Sequence, residues 1–267
     1  LEQCPYSERV TVTEKTSEEI ISYGVELGAV EVREHPLGDI VAVAPDQSVL
    51  LAYFRNNIAH LLAVPSLVAS CFLNTRSVET TQLRRIAAAL YPFLKSELFL
   101  PWDEEGFIQV VQRQIDWLVD RGLLKESADK QTLERSVGST REDLQIKIMG
   151  HALLQTFERY FVTVAILAKN GSGSLTRSEL EQLCILTAQR ISQLNEFAAP
   201  EFSDRQMFRH FISLLRDNGI LTTNENEKLE YNSMIRQISD DAKFILSKEI
   251  RHGIIRVAPQ VLTDSSD

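Results

Sequence analysis

The sequence is short of the residues that do covalent and metal chemistry. Among 267 residues there are three cysteines, Cys4, Cys71 and Cys184, far apart and without a CxxC pair. That excludes a disulfide framework and a thiolate zinc site, and it suits a reducing compartment. Basic residues are outnumbered: 28 Lys and Arg against 37 Asp and Glu give a formal net charge of −9. A nucleic-acid ligand needs clustered positive charge, so the balance disfavours one, and it disfavours broad adhesion to anionic lipid. There is no HExxH, no Walker A loop and no G-x-S-x-G elbow. Gly171-Ser172-Gly173 lacks a third glycine and a preceding strand, and reads as a linker. The five histidines, His35, His60, His151, His210 and His252, are scattered. No metal site or cofactor is expected, and no catalytic residue is assigned.

What is present is globular composition, 44% hydrophobic and 24% charged. No uninterrupted membrane span is convincing. Residues 56–75 carry no Asp, Glu, Lys or Arg, yet Asn56, Asn57, His60 and Pro65 interrupt them. A buried core helix broken at Pro65 is the main reading, and a lipid-facing patch over Ile58 to Leu73 is the minor one. The chain opens with Leu1 and has no basic-then-apolar leader, which reads as a piece of a longer protein with an N-terminal partner upstream.

The patterning predicts a mainly α fold with minor β. Thr16 and Glu19 form a capping box for a helix reaching Leu27 and stopped at Gly28. Residues 29–34 and 40–45 flank a Pro/Gly turn and read as a hairpin. Asp46 is the expected cap of the next helix. Further helices are expected over Ser77–Leu98, from the cap Asp103 to Gly122, over Glu142–Lys169, at 176–195 and 204–218, and over Asn232–Arg251, with a hairpin at 220–232. Residues 125–140 read as a polar loop and 257–267 as a frayed tail. The expected organisation is a helix-and-hairpin segment over 1–45, a first helical unit over 46–126, a second over 127–256, and the tail.

A shift of 97 residues lays Leu83, Ile86, Ala87 and Leu94 on Leu180, Leu183, Cys184 and Ile191. It also lays Asp120, Gly122, Leu123 and Leu124 on Asp217, Gly219, Ile220 and Leu221. Each half then resembles a winged-helix-like unit closing on a glycine and a small hairpin. True duplication and chance alignment of amphipathic helix pairs both fit. The helix after Asp103 is acidic, which favours protein packing over DNA readout.

The most pointed feature is residues 50–70, an apolar stretch that holds Arg55, Asn56, Asn57 and His60. Unpaired buried polar groups each cost roughly 2–7 kcal/mol, so such a knot needs partners. On a continuous helix Tyr53, Asn56, Asn57 and His60 share one face, with Arg55 elsewhere. Two readings stay open: a buried hydrogen-bond hub that stabilises loops or an adjoining domain, or a site where Arg55 and His60 donate to phosphate or carboxylate.

The run from Tyr53 through Arg55-Asn56-Asn57-x-x-His60 to Ser70, with Pro92–Leu100 downstream, resembles the C-terminal region of bacterial membrane-bound glycerol-3-phosphate 1-O-acyltransferases. The resemblance extends from about Cys4 to Arg256. It implies acyl transfer from acyl carrier protein or acyl-CoA to the 1-hydroxyl of glycerol 3-phosphate, at the cytoplasmic face of the bacterial inner membrane. That family's catalysis rests on His-x-x-x-x-Asp. Here the fifth residue after each histidine is Ile40, Pro65, Thr156, Leu215 or Val257, never Asp. The implied role is a non-catalytic domain bracing an N-terminal catalytic domain, with peripheral membrane contact. The competing expectation is an independent, regulatory interaction module.

Overall fold

The computed structural model describes residues 6, 9–136, 138, 140–195 and 200–260. Cys4 and the end of the expected tail, 261–267, lie outside them.

Thr16 opens the first helix as its pattern requires. Its hydroxyl accepts from the Glu19 amide, and the Glu19 carboxylate accepts from the Thr16 amide. The helix α1 (Ser17–Glu26) leads into the antiparallel hairpin β1 (Val30–Arg33) and β2 (Ile40–Val43). A 3-10 turn at Pro45–Gln47 precedes α2 (Ser48–Ile58). Asp46 lies inside that turn, and α2 has no side-chain cap, so the expected Asp46 cap is not formed.

The next break comes where Pro65 demands it. Lacking an amide hydrogen, Pro65 cannot continue α2, and a 3-10 segment (Ala59–Leu62) intervenes before α3 (Ala63–Ser70). Seven of the eight residues of α3 are buried, and Cys71 and Phe72 after it are buried too. The lipid-facing reading of Ile58–Leu73 is therefore corrected: most of this stretch faces protein.

From α3 the chain runs β3 (Ser77–Glu79), α4 (Thr80–Leu98), α5 (Glu104–Asp120), β4 (Leu124–Glu126) and β5 (Thr132–Arg135). Asp103 caps α5 by accepting from the Gly106 amide. The three strands form one antiparallel sheet in the order β3-β5-β4. Two expectations are corrected here. Residues 77–79 are a strand rather than the first turn of α4. The region 125–140, expected as a loop, supplies β4 and β5, with Leu133 wholly buried between them and the helices.

A second set follows: α6 (Arg141–His151), α7 (Leu154–Asn170), α8 (Arg177–Asn195), α9 (Arg205–Asp217), and the hairpin β6 (Leu221–Thr223) and β7 (Leu229–Tyr231). A single bridge between Thr176 and Lys228 stands where β3 pairs in the first set. Adding 97 carries α4 onto α8 end to end, the C-terminus of α5 onto that of α9, and β4 onto β6. It also places α3 inside α7, where every residue from Phe157 to Leu167 is buried. Both halves thus run helix, strand, helix, helix, strand, strand, with the first strand of the second half reduced to the bridge.

One long helix was expected over Glu142–Lys169, and two are found. The reason is tertiary: the Leu153 amide turns to the buried hydroxyl of Ser66 at 3.0 Å, and Gly150 presses on α3 so closely that an added Cβ would lie 2.8 Å from Leu73. The expected last helix is likewise two, α10 (Met234–Ile245) and α11 (Lys248–Val257), because Leu246 is extended and Ser247 caps anew by accepting from the Ile250 amide. Residues 257–260 are tied down rather than frayed: the Lys169 ammonium donates to the carbonyls of Ile255 and Ala258, and Asn170 to that of Pro259.

Candidate functional site

Where α2 ends, its inner side closes a polar cleft against the C-terminus of α4, the α6–α7 junction and the start of α9. The cleft encloses about 250 Å³. Arg55 and Asn56 line it from α2, Glu97 from α4, His151 and Gln155 from the junction, Arg159 from α7, and Asp204 from the N-cap of α9. Arg55 donates to the side-chain oxygens of Asn56 (3.1 Å) and Gln155 (3.3 Å), and so ties α2 to α7 across a hundred residues of sequence.

Behind these lies the strongest charge contact of the cleft. The Arg159 guanidinium, 5% exposed, pairs with the Glu97 carboxylate, whose other oxygen accepts from the Tyr160 hydroxyl at 2.7 Å. Tyr160 stacks on Phe211 with ring centroids 4.3 Å apart, and Phe93 meets both rings edge-on. Helices α4, α7 and α9 are locked together at this point. The Nε of Arg159 is buried without a hydrogen-bond partner. Burial and the Glu97 charge hold the Tyr160 phenol far above its ordinary value. Its neighbour Glu158 faces the other way, into a second cavity beside α11, where one carboxylate oxygen is buried and unpartnered. Burial alone pushes that carboxyl up to about 7.

The five residues singled out from sequence are only partly gathered here. Arg55 and Asn56 sit side by side in the cleft rather than on separate faces. Tyr53 and Asn57 are exposed on the outer side of α2. His60 falls in the 3-10 segment, where its ring meets Tyr6 at 4.6 Å. The expectation of a buried knot is thus corrected: Tyr53, Arg55, Asn56 and Asn57 are all exposed, and the broken helix rotates His60 off their face. Sequence reasoning missed Glu97, Arg159 and Glu158. The signal was available in the pair Glu158-Arg159, two charges inside the apolar run from Phe157 to Leu167.

The chemistry open to this arrangement is limited. The thiols of Cys71 and Cys184 are buried, which pushes both up to about 12, so neither is a thiolate near neutrality. Ser96 and His210 lie 3.1 Å apart at the surface, but no carboxylate among the described residues orients the ring. The described residues contain no group of three His, Cys, Asp or Glu placed to hold a metal. None of the described helices is long and apolar enough to cross a membrane.

Fold and site together define a helical unit whose polar cleft clamps helices to one another. A family described as glycerol-3-phosphate acyltransferase C-terminal region matches residues 1–224, and the chain belongs to that family. It is 44% identical over 262 residues to a glycerol-3-phosphate acyltransferase of Xanthomonas campestris, covering 97% of this chain and 30% of that protein. It is 36% identical to one of Pseudomonas paraeruginosa and 34% to one of Pseudomonas fluorescens, covering 31% and 32% of those proteins. The chain therefore spans about a third of the length of these relatives.

Proposed function

We propose that this chain is the non-catalytic C-terminal part of a glycerol-3-phosphate acyltransferase and braces the region that performs the reaction. The reaction is transfer of a fatty acyl group from acyl carrier protein or acyl-CoA to the sn-1 hydroxyl of glycerol 3-phosphate, the first step of phospholipid synthesis. The protein works at the cytoplasmic face of the bacterial inner membrane, with the acyl donor held by the N-terminal part. The two halves of similar element order are units of one duplicated repeat, the first ending near Arg135. The observation that carries the bracing role is the commitment of the cleft's charges to one another: Glu97 to Arg159 and Tyr160, and Arg55 to Asn56 and Gln155. Groups held this way fix helices.

The test is complementation by parts. The full-length protein lacking these 267 residues should form little or no lysophosphatidate, and this chain supplied separately should restore a measurable fraction. Full activity of the truncated protein would refute the bracing role. A soluble partner captured with no bearing on lipid synthesis would favour the independent module instead.

A further inference from the structure

Residues 17–58 are built inside out. None of the residues of α1 or α2 is buried. Of the 21 large hydrophobic side chains exposed among the described residues, 14 fall in this stretch of 42. On α2 Arg55 and Asn56 turn inward to the cleft on the side that holds the half-buried Leu51 and Ala52, while Val49, Leu50, Tyr53, Phe54 and Ile58, with Asn57 among them, face out, each of the five apolar side chains about half exposed or more. A helix with that polarity leaves its apolar side without a partner.

The hairpin shows the same thing. Its register places Val32 opposite Val41 and Val30 opposite Val43, so four valines share one face, and the other carries the Glu31–Arg33 ion pair. Gly24 of α1 presses on Val30, where an added Cβ would lie 2.9 Å from the valine methyl. Val32, Val41 and Val43 remain 44–48% exposed. A lone two-stranded hairpin is marginal in water and needs a further strand or a packed helix. Among the described residues no third strand pairs with either of its edges.

We propose that α1, the hairpin and the outer face of α2 together form the surface on which the preceding, acyltransferase part of the same polypeptide docks. This rests on the function proposed above and names the surface through which it acts. Two observations select that occupant. The family is described as a C-terminal region, and about two thirds of the length of its relatives lies outside the matched stretch, so a large remainder of the same polypeptide is available to cover this face. The face is also acidic. Residues 17–58 hold seven carboxylates, Glu18, Glu19, Glu26, Glu31, Glu34, Asp39 and Asp46, against Arg33 and Arg55. Anionic lipid would be repelled by that balance, whereas a protein surface can meet it with complementary basic groups. The exposed apolar side chains offer on the order of 1,000 Å², against roughly 800 Å² per partner in a stable protein interface.

The test uses the full-length protein in membranes and in detergent, with a benzophenone amino acid at position 54 and, as a control, at position 144. Leu144 is comparably exposed (57% against 54% for Phe54) but lies on α6. Irradiation should join position 54, and not position 144, to a peptide from the preceding part of the same polypeptide in both media. A cross-link to lipid, a cross-link to a second copy, or equal labelling from the two positions would overturn the proposal. Activity and heat inactivation of V41D, L50D and F54D separate this from the bracing role. If the intramolecular cross-link forms but the three variants match wild type, the docking surface stands and the bracing role fails. Loss of at least tenfold in activity alongside the cross-link supports both.

Discussion

Replacing Glu97 by Gln tests whether the buried contact with Arg159 holds the helices. The substitution keeps the size of the side chain and an oxygen able to accept from Tyr160, and removes only the charge. Arg159, 5% exposed, is then left as an uncompensated cation between α4 and α7. Breaking one side of a buried ion pair costs about 3–5 kcal/mol, and Glu97 keeps some solvent contact at 12% exposure, so the lower end applies. With an unfolding entropy of about 2.1 cal/mol/K per residue, about 3 kcal/mol corresponds to a fall in Tm of about 5 °C for this chain. Arg159→Met alone should cost a similar amount. The double variant E97Q/R159M removes both charges and should recover most of the loss, because no uncompensated charge is then left buried. Thermal unfolding followed by circular dichroism reads all four proteins. If E97Q melts with wild type, or the double variant loses the sum of the two single losses, the pair is not the lock inferred here.

Other substitutions probe separate parts of the fold. Glu158→Gln should flatten the pH dependence of stability: with its carboxyl pushed up to about 7, wild type keeps the stabilising contribution of the protonated form below about pH 4.5 and loses it as pH rises through 7. Urea unfolding at pH 5 and pH 8 should therefore show wild type falling relative to the variant at the higher pH, and the opposite order would contradict the buried, unpartnered carboxyl. Gly150→Ala should destabilise by about 1–2 kcal/mol, since the new Cβ meets Leu73 and the backbone of Ala69, and a stabilised variant in the same unfolding assay would disprove that contact. Thr16→Ala removes the capping box and should cost about 1 kcal/mol, felt locally as faster amide exchange in Ser17–Tyr23 while α7 is unaffected.

Local rules in the sequence located most helix starts and stops. The Thr16–Glu19 box and the Asp103 cap are chemical signals contained within four residues, and both form as the pattern requires. The 97-residue offset was visible in a few apolar positions, and the ends of α4 and α8 match under it. The strands β3, β4 and β5 were not legible, because three- or four-residue strands carrying Lys125, Glu126, Thr132 and Glu134 have too few positions for alternation to show. The break at Leu153 depends on a partner far away in sequence, Ser66, which no local propensity encodes. The site was the least legible part. An apolar stretch in the sequence predicts burial of everything in it, whereas Arg55 and Asn56 are exposed in the cleft and most of the large apolar side chains of α2 face out. Glu97 and Arg159 lie 62 residues apart and meet only once α4 and α7 pack.

The most direct measurement is a radiolabelled assay of the purified 267-residue chain with glycerol 3-phosphate and either acyl-CoA or acyl carrier protein, run beside the full-length protein. The full-length protein should yield lysophosphatidate, and the chain alone should yield none above a blank without protein. Product formed by these 267 residues would mean that the chain carries its own catalytic machinery, and the scaffold reading would be wrong.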